Sequence, residues 1–304
     1  MDVAGIVAEY NPFHGGHAYH IAQTRRALGQ CAVAAMMSGN FVQRGACAIF
    51  DKWTRARAAL EGGADLVLEL PTVYAMSSAE GFAKGAVGLL AAMGVVTHLS
   101  FGSECGDANA LRRVAACLDS APYQAELRRL LDGGSPFAVC RQAAVEALLG
   151  RDAAVLLARP NNNLGVEYIR ALDALGSPIR PVSIFRAGAG HDGGGHPNYP
   201  SASFVRGQIL SGALPADNPA SLTYCERAVL ARLRVMTAED WALLPDSGIP
   251  EGLPQRLVRA AEQASGLEDF YALAKTKRYA HARIRRLALW AFLGLRERDR
   301  PAHP

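Results

Sequence analysis

Short apolar runs and amphipathic stretches take turns along the first two thirds of the chain. Residues 3–8, 31–37, 65–70, 95–101 and 179–185 are apolar runs of strand length, the pattern of strands covered on both faces. Helical patterns fill the intervals. They predict helices from about residue 15 or 16 to 28, over 51–62 with Asp51 as N-cap, over 78–93, and over 163–175 with Asn162 or Asn163 as N-cap. Pro12 disfavours helix just before it, so the first helix opens beyond it. Residues 107–157 read as helical throughout, an insertion relative to a minimal sheet. Alternation at this spacing predicts right-handed βαβ units and a parallel sheet, an α/β fold of Rossmann-like type. Ligands of such sheets bind outside the carboxyl ends of the strands. The loops after Ala8, Met37 and Phe101 therefore share one rim.

A glycine-rich segment at 187–195 has the composition of a lid. A helix begins at about 203 and runs to 210, and beyond Leu214 the chain reads as all-helical. The boundary falls within 211–218, which separates residues 1–212 from a helical part at 213–304. Residues 296–304 read as a polar, disordered tail. No internal repeat is visible.

Composition narrows the class. Half of the 304 residues are apolar and a fifth are charged, as in a soluble globular domain with a real core. A net charge of +4 says little about partners. The six cysteines form no C-x-x-C pair and fit reduced thiols in a cytoplasmic protein. The chain opens directly into a strand with no leader pattern, and no apolar run is long enough to span a bilayer.

The chemistry is concentrated in the first loop, Val7-Ala8-Glu9-Tyr10-Asn11-Pro12-Phe13-His14-Gly15-Gly16-His17. His14 and His17 stand three apart at a helix start and share a face. A helix N-terminus offers free N–H groups and partial positive charge, which suits phosphate. Gly15 and Gly16 let a nucleotide approach the backbone. Two imidazoles placed there can donate hydrogen bonds to an α-phosphate as charge develops on it. His20 continues the stripe by one turn, and a metal site on His14, His17 and His20 is the competing reading.

Other rim residues extend the site. Arg186, ending the last strand, can pair with a phosphate through both guanidinium nitrogens. Ser201, Ser203 and Arg206 sit at a helix start, where hydroxyls and a cation suit the β- and γ-phosphates. Arg44 and Lys52, after the second strand, could orient a small carboxylate or a phosphate. Glu9, acidic beside a phosphate site, suits Mg²⁺, ribose or an amine.

The segment around His14-Gly15-Gly16-His17 resembles the H-x-G-H signature of the nucleotidyltransferase superfamily. The longer string Gly5-Ile6-Val7-Ala8-Glu9-Tyr10-Asn11-Pro12-Phe13-His14 looks more specifically like the tRNA(Met) cytidine acetate ligase family. Further matches are Met37-Ser38-Gly39-Asn40-Phe41-Val42-Gln43-Arg44-Gly45, Asp51-Lys52-Trp53, Asp65-Leu66-Val67-Leu68-Glu69-Leu70-Pro71, Phe101-Gly102-Ser103-Glu104 and Pro160-Asn161-Asn162-Asn163-Leu164-Gly165-Val166-Glu167-Tyr168. The resemblance runs, with gaps, from residue 2 to about 292. It implies ATP as cosubstrate, with Mg²⁺, and a nucleotide site along residues 7–17 with His20, Gly102, Asn162, Arg186, Ser201, Ser203 and Arg206. It also implies activation of acetate, or another small carboxylate, as the acyl-adenylate and acetyl transfer to a cytidine amine of tRNA. Family members continue through a further C-terminal region, so part of the RNA surface is expected to be missing here.

One basic block stands apart. Lys275, Lys277, Arg278, Tyr279, Arg283, Arg285 and Arg286 lie in a segment with no acid. That pattern suits RNA phosphates and one stacked base, or else a solvated helix face. No membrane or DNA contact is expected. Two rival functions remain open at this point: a small-molecule adenylyltransferase, and a non-catalytic RNA-binding protein with a degenerate nucleotide site.

Overall fold

The computed structural model describes residues 1–186, 201–276, 279–302 and 304. The 187–195 segment expected to form a lid, and Lys277 and Arg278, lie outside the described residues. The chain opens with β1 (Asp2–Ala8), α1 (Gly15–Leu28) and β2 (Cys31–Ser38). A small hairpin follows, β3 (Phe41–Val42) and β4 (Ala46–Cys47), then α2 (Lys52–Glu61), β5 (Leu66–Leu70), α3 (Thr72–Ala75), α4 (Ala79–Ala92) and β6 (His98–Ser103). Four helices fill the insertion: α5 (Ala108–Leu118), α6 (Ala121–Asp132), α7 (Phe137–Leu149) and α8 (Arg151–Leu156). The chain returns through α9 (Pro160–Ala174) to β7 (Arg180–Phe185) and α10 (Ala202–Leu210). After it come α11 (Glu226–Arg234), α12 (Ala238–Ala242), α13 (Leu253–Gln263), α14 (Leu267–Ala274) and α15 (His281–Leu293).

The main sheet is parallel, in the order β5-β2-β1-β6-β7. Strand order runs outward from β1 to β2 and β5, then restarts on the other side with β6 and β7. The switch point lies between β1 and β6, where an open α/β sheet leaves its ligand crevice. One face packs into a core with Leu90, Leu99, Val166 and Ile169, shared with the insertion helices. The opposite face, with Ile6, Val33 and Ala35, packs on Ile21 of α1 and Ala59 of α2. The C-terminal helices bury a separate cluster around Trp241, Phe270 and Trp290. The Trp290 indole N–H donates to the Met76 carbonyl at 2.9 Å and ties that cluster to the end of α3.

Several expectations need correction. The fourth strand begins at His98, not residue 95. Gly94 takes a positive φ of 69° at the end of α4, and Val95, Val96 and Thr97 are used in the crossing to the sheet. It also runs on to Ser103, so Gly102 lies within the strand. Neither Asn162 nor Asn163 caps α9: the helix opens at Pro160, and the cap comes from the Glu104 carboxylate across the rim. Residues 296–302 of the tail are ordered. Residues 297–299 form a 3-10 turn, Arg300 sits over the Trp290 ring, and the Tyr74 hydroxyl donates to the Pro301 carbonyl. Apolar and aromatic surface on both halves of the molecule captures it. The β3–β4 hairpin, with strands of two residues each, is too short to show a period.

Candidate active site

Loop one leaves β1 at Ala8 and turns sharply. Tyr10 takes a positive φ of 46°, rare for a side chain of that size and a form of strain that clusters at functional sites. Three braces hold the turn. The Asn11 side-chain carbonyl accepts from the Ile49 N–H at 2.8 Å. Arg206 donates to the Asn11 carbonyl at 2.6 Å and to the Ser203 hydroxyl. Arg55, buried to 1% exposure, donates to the carbonyls of Glu9, Ser38, Gly39 and Phe50. One guanidinium thus clamps the ends of β1 and β2 together.

The loop delivers His14 and His17 as the capping box of α1. His14 Nδ1 accepts from the Gly16 N–H at 3.1 Å, and His17 Nδ1 accepts from the His14 N–H at 3.2 Å. A nitrogen that accepts from a backbone N–H carries a lone pair. In a neutral imidazole the proton is then on Nε2. Burial pushes His14 down to about 4 and His17 well below its usual range, so both rings stay neutral. The result is two packed rings, centroids 3.9 Å apart and planes tilted by 37°, each with an Nε2–H to donate. Gly16 is needed here, because a Cβ would meet the His14 ring at 2.9 Å.

His20 sits one turn deeper. Thr24 donates to the His20 carbonyl at 2.9 Å, so its one proton is used. Ser100 must then be the donor in its 2.6 Å contact with Thr24, and His20 Nε2 must donate to Ser100 at 3.0 Å. A metal held on the three histidines would need lone pairs from His14 and His17 that are already committed to backbone N–H groups. Among the described residues no group of three or more His, Cys, Asp or Glu gathers for a metal ion.

A cavity of about 350 Å³ opens at the switch point. His17 and His20 line it, with Ala8, Glu9 and Asn11 from loop one, and Arg44, Gly102, Arg186 and Arg206 from the other rim elements. Three cations and one carboxylate on this wall suit a polyphosphate. Gly102 faces the Arg186 side chain, and a Cβ there would meet its Cγ at 3.1 Å. The buried Tyr10 hydroxyl, on the cavity wall, has no hydrogen-bond partner among the described residues.

Other expected site residues are placed differently. Asn162 does not line this cavity; its side-chain carbonyl accepts from the Glu104 and Cys105 N–H groups at 2.9 and 3.1 Å. With the returning Glu104 carboxylate it makes a two-way clasp between the β6 loop and α9. Ser201 is the N-cap of α10, accepting from Phe204 N–H. Lys52 is turned away and pairs with Glu69 at 2.5 Å.

The basic block is largely spent on internal contacts. Tyr279 is buried and donates to the Glu251 carbonyl, so it is no platform for a base. Arg283 pairs with Glu251 and Arg285 with Glu268, while Arg286 donates to the Gln43 carbonyl. Lys275 is exposed. The cause is the seat of the β3–β4 hairpin. Gly45, at φ 75°, lies so close to α15 that a Cβ would meet the Arg286 nitrogen at 2.5 Å. Helix α15 thereby fixes Gln43 and Arg44, which both line the cavity. Sequence reading missed Arg55 and Glu104. An arginine sharing the buried stripe of α2 with Ala59 was the available signal for the first.

The depressed histidines fix a pH dependence. Between about 6.5 and 4 the unfolded chain takes up protons on His14, His17 and His20 that the folded chain does not. Stability is therefore expected to fall as pH drops through that window. Glu9 opposes this in part, since burial raises its carboxyl. Urea midpoints at about pH 7 and about pH 5 read the sum. A midpoint unchanged in the wild type and in Glu9→Gln alike would show that these rings protonate in the folded state.

A strand switch point with a paired-histidine helix start and an arginine-lined cavity defines a nucleotidyltransferase. A family model described as HIGH Nucleotidyl Transferase matches residues 1–303. The chain belongs to that family and, within it, to the tRNA(Met) cytidine acetate ligases. The ligase of that name from Clostridium botulinum (strain Langeland) is 36% identical over 326 residues, covering 98% of this chain and 80% of the relative. The one from Clostridium kluyveri is 38% identical over 329 residues, with the same coverage. Crystal structures of Thermotoga maritima TmcAL superpose with TM-scores of 0.89 for the form bound with alpha-thio ATP and 0.91 for the apo form. Each is 36% identical and matches 98% of this chain, with 76% and 77% of the respective crystal chain covered.

Proposed function

We propose that this protein activates acetate with ATP and transfers the acetyl group to the N4 amine of a cytidine in tRNA(Met). The observation that carries the chemistry is the capping box, which leaves two neutral Nε2–H donors, one on His17 in the cavity wall and one on the His14 ring packed against it. In the first step an acetate oxygen attacks the α-phosphorus, and the bond to pyrophosphate breaks. Negative charge grows on the phosphoryl oxygens, where His14 and His17 donate and Arg44, Arg186 and Arg206 supply counter-charge. Neutral donors suit this task, because they do not hold the ground-state polyphosphate as tightly as a cation would. In the second step the cytidine amine attacks the acetyl carbonyl and AMP leaves. Mg²⁺ would come with ATP and would supply further counter-charge to its phosphates. Residues 1–212 act as the catalytic part and 213–304 as a helical part of a cytoplasmic enzyme.

The test is pyrophosphate release from ATP with acetate, with and without a tRNA(Met) transcript, together with assay of the RNA for N4-acetylcytidine. Acetate-dependent release and acetylated RNA are expected. Release with a phosphorylated metabolite but not with acetate would replace this reading by adenylyl transfer to a small molecule.

A further inference from the structure

A second cavity, of about 440 Å³, adjoins the first. The two share Glu9, Asn11, Arg44 and Arg206 on their walls. Its other walls come from the β3–β4 hairpin, from Leu210 at the end of α10, from Leu222 and Thr223, and from Tyr271 and Arg285 of the C-terminal helices. It is therefore built by both halves of the chain, and the adenylation step uses only the wall that it shares with the first.

Its polar inventory is short once internal pairs are removed. Glu268 is taken by Arg285, and Glu226 accepts from the Leu267 N–H. Glu9 Oε1 accepts from the Gln43 N–H at 2.9 Å, whereas Oε2 makes no hydrogen bond among the described residues. Arg44 makes none either. A free carboxylate oxygen and a free guanidinium thus stand at the junction of the two cavities. Leu210 leaves an apolar face 51% exposed on the wall. Tyr224, in the same 3-10 turn as Leu222 and Thr223, is 74% exposed. An apolar slot, a carboxylate, a guanidinium and an exposed aromatic ring are the parts that hold an unstacked nucleobase.

Resting on the acetylation reading above, we infer that this second cavity receives the acceptor base and that Glu9 takes the proton from its exocyclic amine. The amine of a cytosine donates, so it meets Glu9 Oε2; a uracil would set a carbonyl oxygen against the carboxylate. Arg44 reaches the O2 and N3 edge or a flanking phosphate, and Tyr224 stacks a neighbouring base. The amine nitrogen bonds to the acetyl carbon, the carbon–oxygen bond to AMP breaks, and AMP leaves with that electron pair. The amine proton passes to Glu9 and then to solvent. Burial raises the Glu9 carboxyl, the direction that makes it a better base, while the Gln43 N–H and the nearby arginines oppose that shift.

Leu210→Trp and Thr223→Trp fill the slot from exposed positions that do not line the nucleotide cavity. Acetate-dependent ATP–pyrophosphate exchange without RNA is expected to stay within about twofold of wild type, while acetyl transfer to an anticodon stem–loop RNA falls more than about tenfold. Glu9→Gln should lower transfer by roughly 10²- to 10⁴-fold and remove the acidic limb of its pH profile. Wild-type transfer in both filled variants would overturn the assignment. Absence of acetate-dependent exchange in the wild type would strike the acetylation reading instead. The cavity is then judged by binding of a fluorescein-labelled stem–loop RNA: weaker binding in Leu210→Trp and Tyr224→Ala supports it, and unchanged affinity overturns it.

Discussion

His17→Asn is expected to slow acetate-dependent pyrophosphate release by roughly 10²- to 10³-fold, the usual cost of one lost transition-state donor. The substitution isolates one function. Asparagine can keep an acceptor where Nδ1 receives the His14 N–H, so the helix cap survives. It has no group at the Nε2 position. His17→Gln inverts the pattern: it reaches that position with an N–H and loses the cap. Partial recovery of the rate in His17→Gln, with lower thermal stability, would separate the two roles. If His17→Asn keeps wild-type kcat, the ring is a capping residue and His14 works alone.

Arg55→Met should give the largest loss of stability, about 3–5 kcal/mol, because four carbonyls lose a charged donor in a dry setting. The urea midpoint measures it. The variant should also raise KM for ATP, since the Glu9 and Gly39 ends of the rim are no longer clamped. Arg55→Lys should rescue little: one ammonium cannot reach acceptors spread around a planar fork. A loss under about 1 kcal/mol would mean that the loops are held by their other braces.

The parallel sheet was legible because its central strands β1, β2 and β6 are largely covered on both faces, which writes continuous apolar runs into the sequence. The histidine pair was legible because its residues are adjacent in the chain. What was hidden depends on contacts distant in sequence. Arg55 and Glu104 look like surface charges until the loops they hold are folded around them. The basic block misled for the same reason. Six cations without a local acid read as an RNA surface, yet Glu251 and Glu268 arrive from elsewhere in the chain to pair with two of them. Tyr279 reads as a stacking ring, but its hydroxyl finds a carbonyl inside the helical cluster.

Among the described residues the cations on the nucleotide cavity are all arginines, and Lys52, after the second strand, is turned out toward Glu69. An acyl-adenylate is a mixed anhydride that will acylate any amine or thiolate within reach. Arginine holds its proton too tightly to act as a nucleophile, and a lysine in the same place would not. The two imidazoles present N–H, not a lone pair, on their outward nitrogens. Cys47, on the neighbouring cavity, is kept as a thiol by burial. On the reaction proposed above, the enzyme can thus hold its own reactive intermediate without acetylating itself while it waits for an RNA.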